Sequence, residues 1–266
     1  MTNIDQKKLV AHLIKSLCFK LNILETKFPT LANFISEFEN LNLSSIDETR
    51  QKRNPPEIAL ALSKLCIMGL NVNSSKNFNT EYFAHLNWSQ IYDEIDLKMP
   101  FTKGMFASRL VGLDGFYFHR RLSFGLMMLL PGVVYPPHTH LVDELYYSLS
   151  GKLTVKHGIP GDQVFLNPGE ISITPKGKLH SLSVGGNIPV LLLYSWLGNL
   201  RAPIWIWKKI KESHWERSMW TRLPGKKWNL SKTKKFLEAV EEIKITPFRN
   251  KDKDSKDSNC ANYATY

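Results

Sequence analysis

The chain has 266 residues, 43% hydrophobic and 22% charged, with a formal net charge of +11, which supports one modest globular body with additions. Its cysteines, Cys18, Cys66 and Cys260, are far apart and odd in number, which excludes a disulfide framework and a CxxC pair and fits a reducing compartment. No run of eighteen apolar residues occurs, which excludes a helical membrane span.

The first segment, MTNIDQKKLVAHLIKSLCFKLNIL, breaks its apolar runs with Lys, His or Asn and lacks a small-residue cleavage site, so it is read as mature protein, not as a signal peptide. Leu9, Val10, Leu13, Ile14, Leu17 and Leu21 recur at helical spacing, and so do Leu31, Phe34, Ile35 and Phe38. Pro55-Pro56 precedes IALALSKLCIMGL, where proline suits a first helical turn and Gly69 a C-terminal cap, so a third helix is expected. Residues 70–79 read as a polar loop, and TEYFAHLNWSQIYDEI as a fourth helix capped by Thr80. From Met105 the pattern changes to short β-rich runs divided by glycines: Leu110 to Leu113, Phe116 to His119, Leu122 to Leu130 and, later, Val190 to Trp196.

Between those runs stand two spaced blocks. Gly132, His138, His140, Glu144 and Gly151 follow G-x5-H-x-H-x3-E-x6-G, and Gly169, Pro175, Gly177 and His180 follow G-x5-P-x-G-x2-H, with 17 residues between. Alternate side chains on a strand share a face, so His138 and His140 project together, and the even offsets of Glu144 and Tyr146 keep that facing if the chain stays extended. Turn residues at Ser150-Gly151, Asn167-Pro168-Gly169 and Pro175-Lys176-Gly177 fold the chain back and deliver His180 to the same ribbon. Three imidazoles and a carboxylate make a metal site for one divalent transition metal: Fe, Zn, Mn, Co or Ni all suit this ligand set, with affinity order alone favouring the later metals. His12, His85, His119, His157 and His214 have no ligand-spaced partners and read as surface or core residues.

The tail differs. Residues 201–235 hold eleven Lys or Arg against two Glu, a balance of +9, and five of the seven tryptophans. Basic residues among aromatics suit nucleic acid or an anionic surface, but no recognised nucleic-acid motif accompanies them. The expectation is that Trp205, Trp207, Trp215, Trp220 and Trp228 pack against the barrel while the lysines face solvent. Ser231 to Ile243 reads as a short helix, and the apolar-poor KDKDSKDSNCANYATY as disordered.

On the two blocks, residues 132–184 resemble the cupin superfamily, whose members are small antiparallel jelly-roll barrels with a divalent metal inside. One departure is Val184, where the second block usually closes with Asn, a position that is not a usual ligand. The implied fold class is α+β: an N-terminal helical region at 1–100, a cupin β-barrel at 101–205, a basic Trp-rich extension at 206–249 and a disordered tail at 250–266. Around the ligands the chain reads Y-P-P-H-T-H-L-V-D-E-L-Y-Y, with Tyr135 three residues before His138 and Tyr146 two after Glu144. That pattern, continuing into LLLYSWLGNLRAP, is similar to the cupin dimethylsulfoniopropionate lyases over about residues 105–205. The resemblance implies cleavage of dimethylsulfoniopropionate to dimethyl sulfide and acrylate. It also implies ligands His138, His140, Glu144 and His180, Tyr146 as catalytic base or extra ligand, and Tyr135 as a second pocket tyrosine.

The chemistry agrees with that implication. Eliminating a sulfide from a β-sulfonio carboxylate needs a base for the proton beside the carboxylate and a cation to stabilise the enolate-like charge. Aromatic faces such as Tyr135, Tyr147, Trp196 or Phe165 suit the sulfonium. The expected partner is thus a small zwitterionic sulfonium, with no specific nucleic acid and no membrane span, in the cytoplasm; homo-oligomerisation stays open. Two other functions also stay open. One is a dioxygenase-type cupin needing Fe(II), which oxygen consumption would reveal; the other is a non-enzymatic sensor or binding cupin.

Overall fold

The computed structural model describes residues 3–26, 28–41, 56–67, 83, 86–92, 100–159, 161–211, 214–223 and 226–236. The polar stretch at 70–79, His85, Gly69 and the tail at 250–266 lie outside these residues.

Helices form where the 3.6-residue apolar period is strongest: α1 (Asn3–Glu25), α2 (Leu31–Glu39) and α3 (Pro56–Ile67). In α2 the period places Leu31, Phe34, Ile35 and Phe38 on one buried stripe. Among the described residues fourteen strands follow. One sheet runs β1 (Ser89–Gln90), β2 (Met105–Gly112), β4 (Leu122–Leu129), β11 (Val190–Gly198), β6 (Val142–Ser150) and β9 (Ile171–Thr174), with β3 (Tyr117–Phe118) alongside β2. The second runs β14 (Asn229–Phe236), β13 (His214–Thr221), β12 (Ile204–Lys211), β5 (Val134–Thr139), β10 (His180–Val184), β7 (Leu153–Gly158) and β8 (Gly161–Leu166). Except for the short parallel β2–β3 pair, the pairings between these strands are antiparallel, as a jelly-roll cupin requires.

The first sheet is buried on both faces, which explains why β4 is apolar along nearly its whole length, while β10 of the second sheet alternates buried and half-buried positions. Its outer face carries Phe106, Leu110, Phe124, Leu145, Tyr147 and Leu193 against the helices; Phe38 of α2 meets Phe124 edge-on at 5.1 Å between ring centres. Its inner face joins the second sheet around Met105, Met127, Tyr146, Leu192, Ile206 and Trp220. Period-two alternation along β6 therefore decides function residue by residue: Glu144 and Tyr146 point inward, and Leu145 and Tyr147 outward.

Where the helices expected at 80–95 and 231–243 are described, Phe83 is helical but Ser89–Gln90 and Asn229–Phe236 are strands. Within 80–95 the apolar spacing of Phe83 and Leu86 mimics a helix turn, yet Ser89 and Gln90 pair with Ala107 and Phe106 of β2, and Tyr92 bridges Trp228. Pairing with the open β2 edge overrides local propensity there. Likewise Asn229–Phe236, read in part as a helix from Ser231, pairs along β13. Its exposed lysines, Lys232, Lys234 and Lys235, fit an edge strand guarded by charge. The tryptophans of this segment pack largely as expected: Trp207, Trp215, Trp220 and Trp228 are buried, and Trp205 lies under the Arg217 guanidinium, 4.4 Å from its ring centre. Among the described residues no helix is long and apolar enough to cross a membrane.

Candidate metal centre and active-site cavity

The two sequence blocks meet because β5 and β10 pair with His138 opposite His180, while β6 brings Glu144 across the barrel. Gly177 makes the return turn at φ +77° and donates its backbone N–H to the His140 carbonyl at 2.8 Å, tying the second block to the first. Gly151 closes the other end at φ +77°, where a Cβ would stand 2.6 Å from the Pro189 carbonyl oxygen. Val184 is buried in the core opposite Leu153.

The four expected ligands come together. One ligand atom from each of His138, His140, Glu144 and His180 lies within 4.8 Å of the others, and all four residues are buried. Each imidazole is oriented through Nδ1, which donates to a carbonyl: Pro136 for His138 at 2.8 Å, Val142 for His140 at 3.0 Å, Lys178 for His180 at 3.0 Å. In a neutral ring that leaves the Nε2 lone pair facing the centre. His140 Nε2 and His180 Nε2 lie 3.0 and 2.8 Å from the same oxygen of Glu144, Oε2. Without a central cation those contacts require imidazolium protons, and burial of two imidazoliums beside one carboxylate is costly. Burial, reinforced by His180 and His140, holds the His138 imidazole well below its ordinary value. Burial pushes the Glu144 carboxyl up, but the imidazoles of His140 and His180 outweigh it and hold the group ionised, well below its ordinary value. Three converging lone pairs and a carboxylate, with carbonyls fixing the rings from behind, fit a divalent transition metal.

Around the tetrad stands an aromatic wall. Trp196, opposite Glu144 across β11, donates its indole N–H to Glu144 Oε1, and its ring lies 4.8 Å from His140. The Tyr146 hydroxyl donates to Glu144; burial, then that carboxylate, pushes the phenol well above its ordinary value. Tyr135 stacks on His138 with ring centres 3.8 Å apart, and its hydroxyl shares a hydrogen bond with Tyr92. Burial pushes both phenols up. Tyr135, Tyr146 and Trp196 thus line one cavity with His138 and Glu144. Tyr147 does not; it packs beneath the helices, and Phe165 is 66% exposed on β8. Lining residues with no spacing signal are Tyr92, Arg109, Arg222 and Trp228. A readable clue existed for Arg109, since it shares the inward parity of Met105 and Ala107 in β2 and places a charge in an apolar row.

Two facing antiparallel sheets of jelly-roll type with three buried imidazoles and a carboxylate between them define the chain as a cupin. The dimethylsulfoniopropionate lyase family profile matches residues 47–192, more than half of the chain, and the protein belongs to that family. Among curated relatives, a putative dimethylsulfoniopropionate lyase of Cereibacter sphaeroides, DddL, is 25% identical over 117 residues, covering 44% of this chain and 47% of its own length. The chain therefore aligns with about half of that relative. The solved dimethylsulfoniopropionate lyase DddQ from Ruegeria pomeroyi DSS-3 superposes with a TM-score of 0.54 at 20% identity, over 76% of this chain and 96% of its own, which establishes the common fold.

Proposed function

We propose that the protein is a metal-dependent carbon–sulfur lyase that splits dimethylsulfoniopropionate into dimethyl sulfide and acrylate. The observation that carries this reading is the contact of Tyr146 with Glu144 at the edge of a buried tetrad, inside a cavity walled by aromatic rings. His138, His140, Glu144 and His180 would hold the metal. When bound, a divalent cation would withdraw charge from the substrate carboxylate as enolate-like charge develops and would counter the upward push on the Tyr146 phenol.

The remaining work falls to the chain. Tyr146, as phenolate, takes the proton from the carbon beside the carboxylate; the C–H electron pair becomes the new C=C bond, the C–S bond breaks, and the sulfide leaves with that bond's pair. Tyr135 is held by the stack on His138 and by Tyr92, which keeps it a neutral donor facing the cavity. The rings of Tyr92, Tyr135 and Trp196 offer faces to the sulfonium. A cytoplasmic setting accompanies this reading, supported by the free thiol of Cys18.

The test is headspace detection of dimethyl sulfide, with acrylate in equal amount, after metal-loaded protein is mixed with dimethylsulfoniopropionate. Oxygen uptake without dimethyl sulfide would replace the lyase by the dioxygenase reading.

A further inference from the structure

Two arginines of the cavity wall, Arg109 and Arg222, and the Asp114 carboxylate beside them have no part in the elimination chemistry above. Arg109 projects inward from β2, and Arg222 follows β13. The Asp114 carboxylate, in the turn after β2, stands between them, with Oδ2 3.5 Å from Arg109 Nε and 3.6 Å from Arg222 Nη1. Arg109 also donates from Nη1 to Ser89 Oγ at 3.2 Å. These side chains are 12%, 8% and 2% exposed, so little solvent screens them. One carboxylate against two guanidiniums leaves a buried excess of one positive charge. The strain of that excess is visible at Arg222, where burial, and next Arg109, lowers the guanidinium to about 10.

The excess faces the cavity. Arg109 and Arg222 both line it together with Glu144, Tyr146 and Trp196. The cross-strand partner of Arg109 is Gly125, where the backbones approach so closely that a Cβ would stand 2.1 Å from the Ser108 carbonyl oxygen. Trp228 links the arginines to the tetrad: its ring lies 5.1 Å beneath the Arg222 guanidinium and 6.2 Å from the Trp196 ring, which itself bonds Glu144.

We propose that Arg109 and Arg222, held as a pair by Asp114, form an anion subsite that takes the carboxylate of the substrate and of the acrylate product. This rests on the lyase reading and deepens it. A carboxylate has two oxygens, so one can meet the metal centre while a guanidinium donates to the other. The same charge repels the sulfonium, so the pair also sets which end of the zwitterion enters toward it. Substrates that lack the carboxylate lose both effects.

The experiment is calorimetric titration of acrylate, with acrylamide as the neutral isostere, into the metal-loaded parent, Arg109→Gln, Arg222→Gln and Asp114→Asn, each checked for metal content and melting temperature. The parent should bind acrylate more tightly than acrylamide. Each arginine variant should bind acrylate at least about tenfold more weakly, the loss of a charge-assisted contact, with metal content unchanged. Asp114→Asn removes the competing anion and should bind acrylate at least as tightly as the parent. Acrylate affinity within about twofold of the parent in the arginine variants would overturn the proposal. So would weakening in Asp114→Asn as large as in the arginine variants, which marks a purely structural cluster. If one arginine variant does not fold, the other and Asp114→Asn still decide. Because these are binding measurements, they stand apart from the headspace assay: absence of dimethyl sulfide from the parent refutes the lyase reading, whereas unchanged acrylate binding refutes the subsite.

Discussion

Replacing Tyr146 by Phe removes one oxygen and leaves the ring. The ring is 2% exposed in the core between the sheets, so its packing survives the change. The lost contact is one hydrogen bond to Glu144, and that carboxylate keeps His140, His180 and Trp196 as neighbours. The tetrad should therefore retain metal. Turnover is another matter, because no other phenol in the cavity bonds Glu144 among the contacts described. Loss of a general base costs about 10²–10⁴-fold in rate, or about 2.7–5.4 kcal/mol of barrier at about 1.36 kcal/mol per decade. The pH profile gives an independent check. Burial and the Glu144 charge raise the Tyr146 phenol, so its base form gains population only as pH rises, and parent activity should climb on the alkaline side of neutrality. That limb should vanish in Tyr146→Phe. Initial rates of dimethyl sulfide release across pH, with metal content measured on the same samples, make the assay. Near-parent turnover by metal-loaded Tyr146→Phe would refute the assignment and make Tyr135→Phe the next variant to measure.

Three further outcomes are expected. His140→Ala and His180→Ala should each lose metal by elemental analysis and abolish turnover while the far-ultraviolet circular dichroism stays that of the parent; unchanged metal in both would show the site misassigned. Trp196→Phe keeps a ring over His140 but deletes the N–H that holds Glu144 Oε1, so metal affinity measured by chelator competition should fall about 10–100-fold. Cys18 sits half-buried on α1 where burial pushes its thiol up to about 11. Its labelling by iodoacetamide, resolved by peptide mass spectrometry, should thus be slow at neutral pH and accelerate only in strong alkali; rapid labelling at neutral pH would contradict that environment.

The tetrad was legible because its chemistry is carried by local spacing. His138, His140, Glu144 and Tyr146 fall within nine residues on β5, β6 and the short link between them, and turn glycines announce where His180 returns. Tyr135 and Trp196 were legible for the same reason, lying close to the motif or in its strand partner. Tyr147 was placed among the cavity aromatics although strict alternation from Glu144 sends it outward, under the helices. Tyr92, Arg222 and Trp228 had no such signal. Tyr92 and Trp228 are joined by a bridge between segments far apart in sequence, and Arg222 follows the hairpin of β12 and β13; neither element shows a motif alone. Strand pairing also explains the described parts of the helices expected at 80–95 and 231–243. There, short apolar or lysine-rich runs fit a helix locally, and the unfilled edges of β2 and β13 recruit them as strands.

The boundary of the family match divides the cavity into two parts with different constraints. All four ligands and both pocket tyrosines, Tyr135 and Tyr146, lie within residues 47–192, whereas Trp196, Ile204, Arg222 and Trp228 lie beyond it yet line the same space. In the proposed reaction the matched region would supply the base, and the segment beyond it would supply much of the wall facing the rest of the substrate. Strands β12 to β14 also extend the second sheet past β5, since Ile206 pairs with His138. Removing them would leave β5, the strand that carries His138, as an open edge. The basic, tryptophan-rich segment is in this sense part of the barrel: its lysines face solvent, Trp220 supports Tyr92 edge-on at 5.3 Å, and Arg222 and Trp228 reach the site.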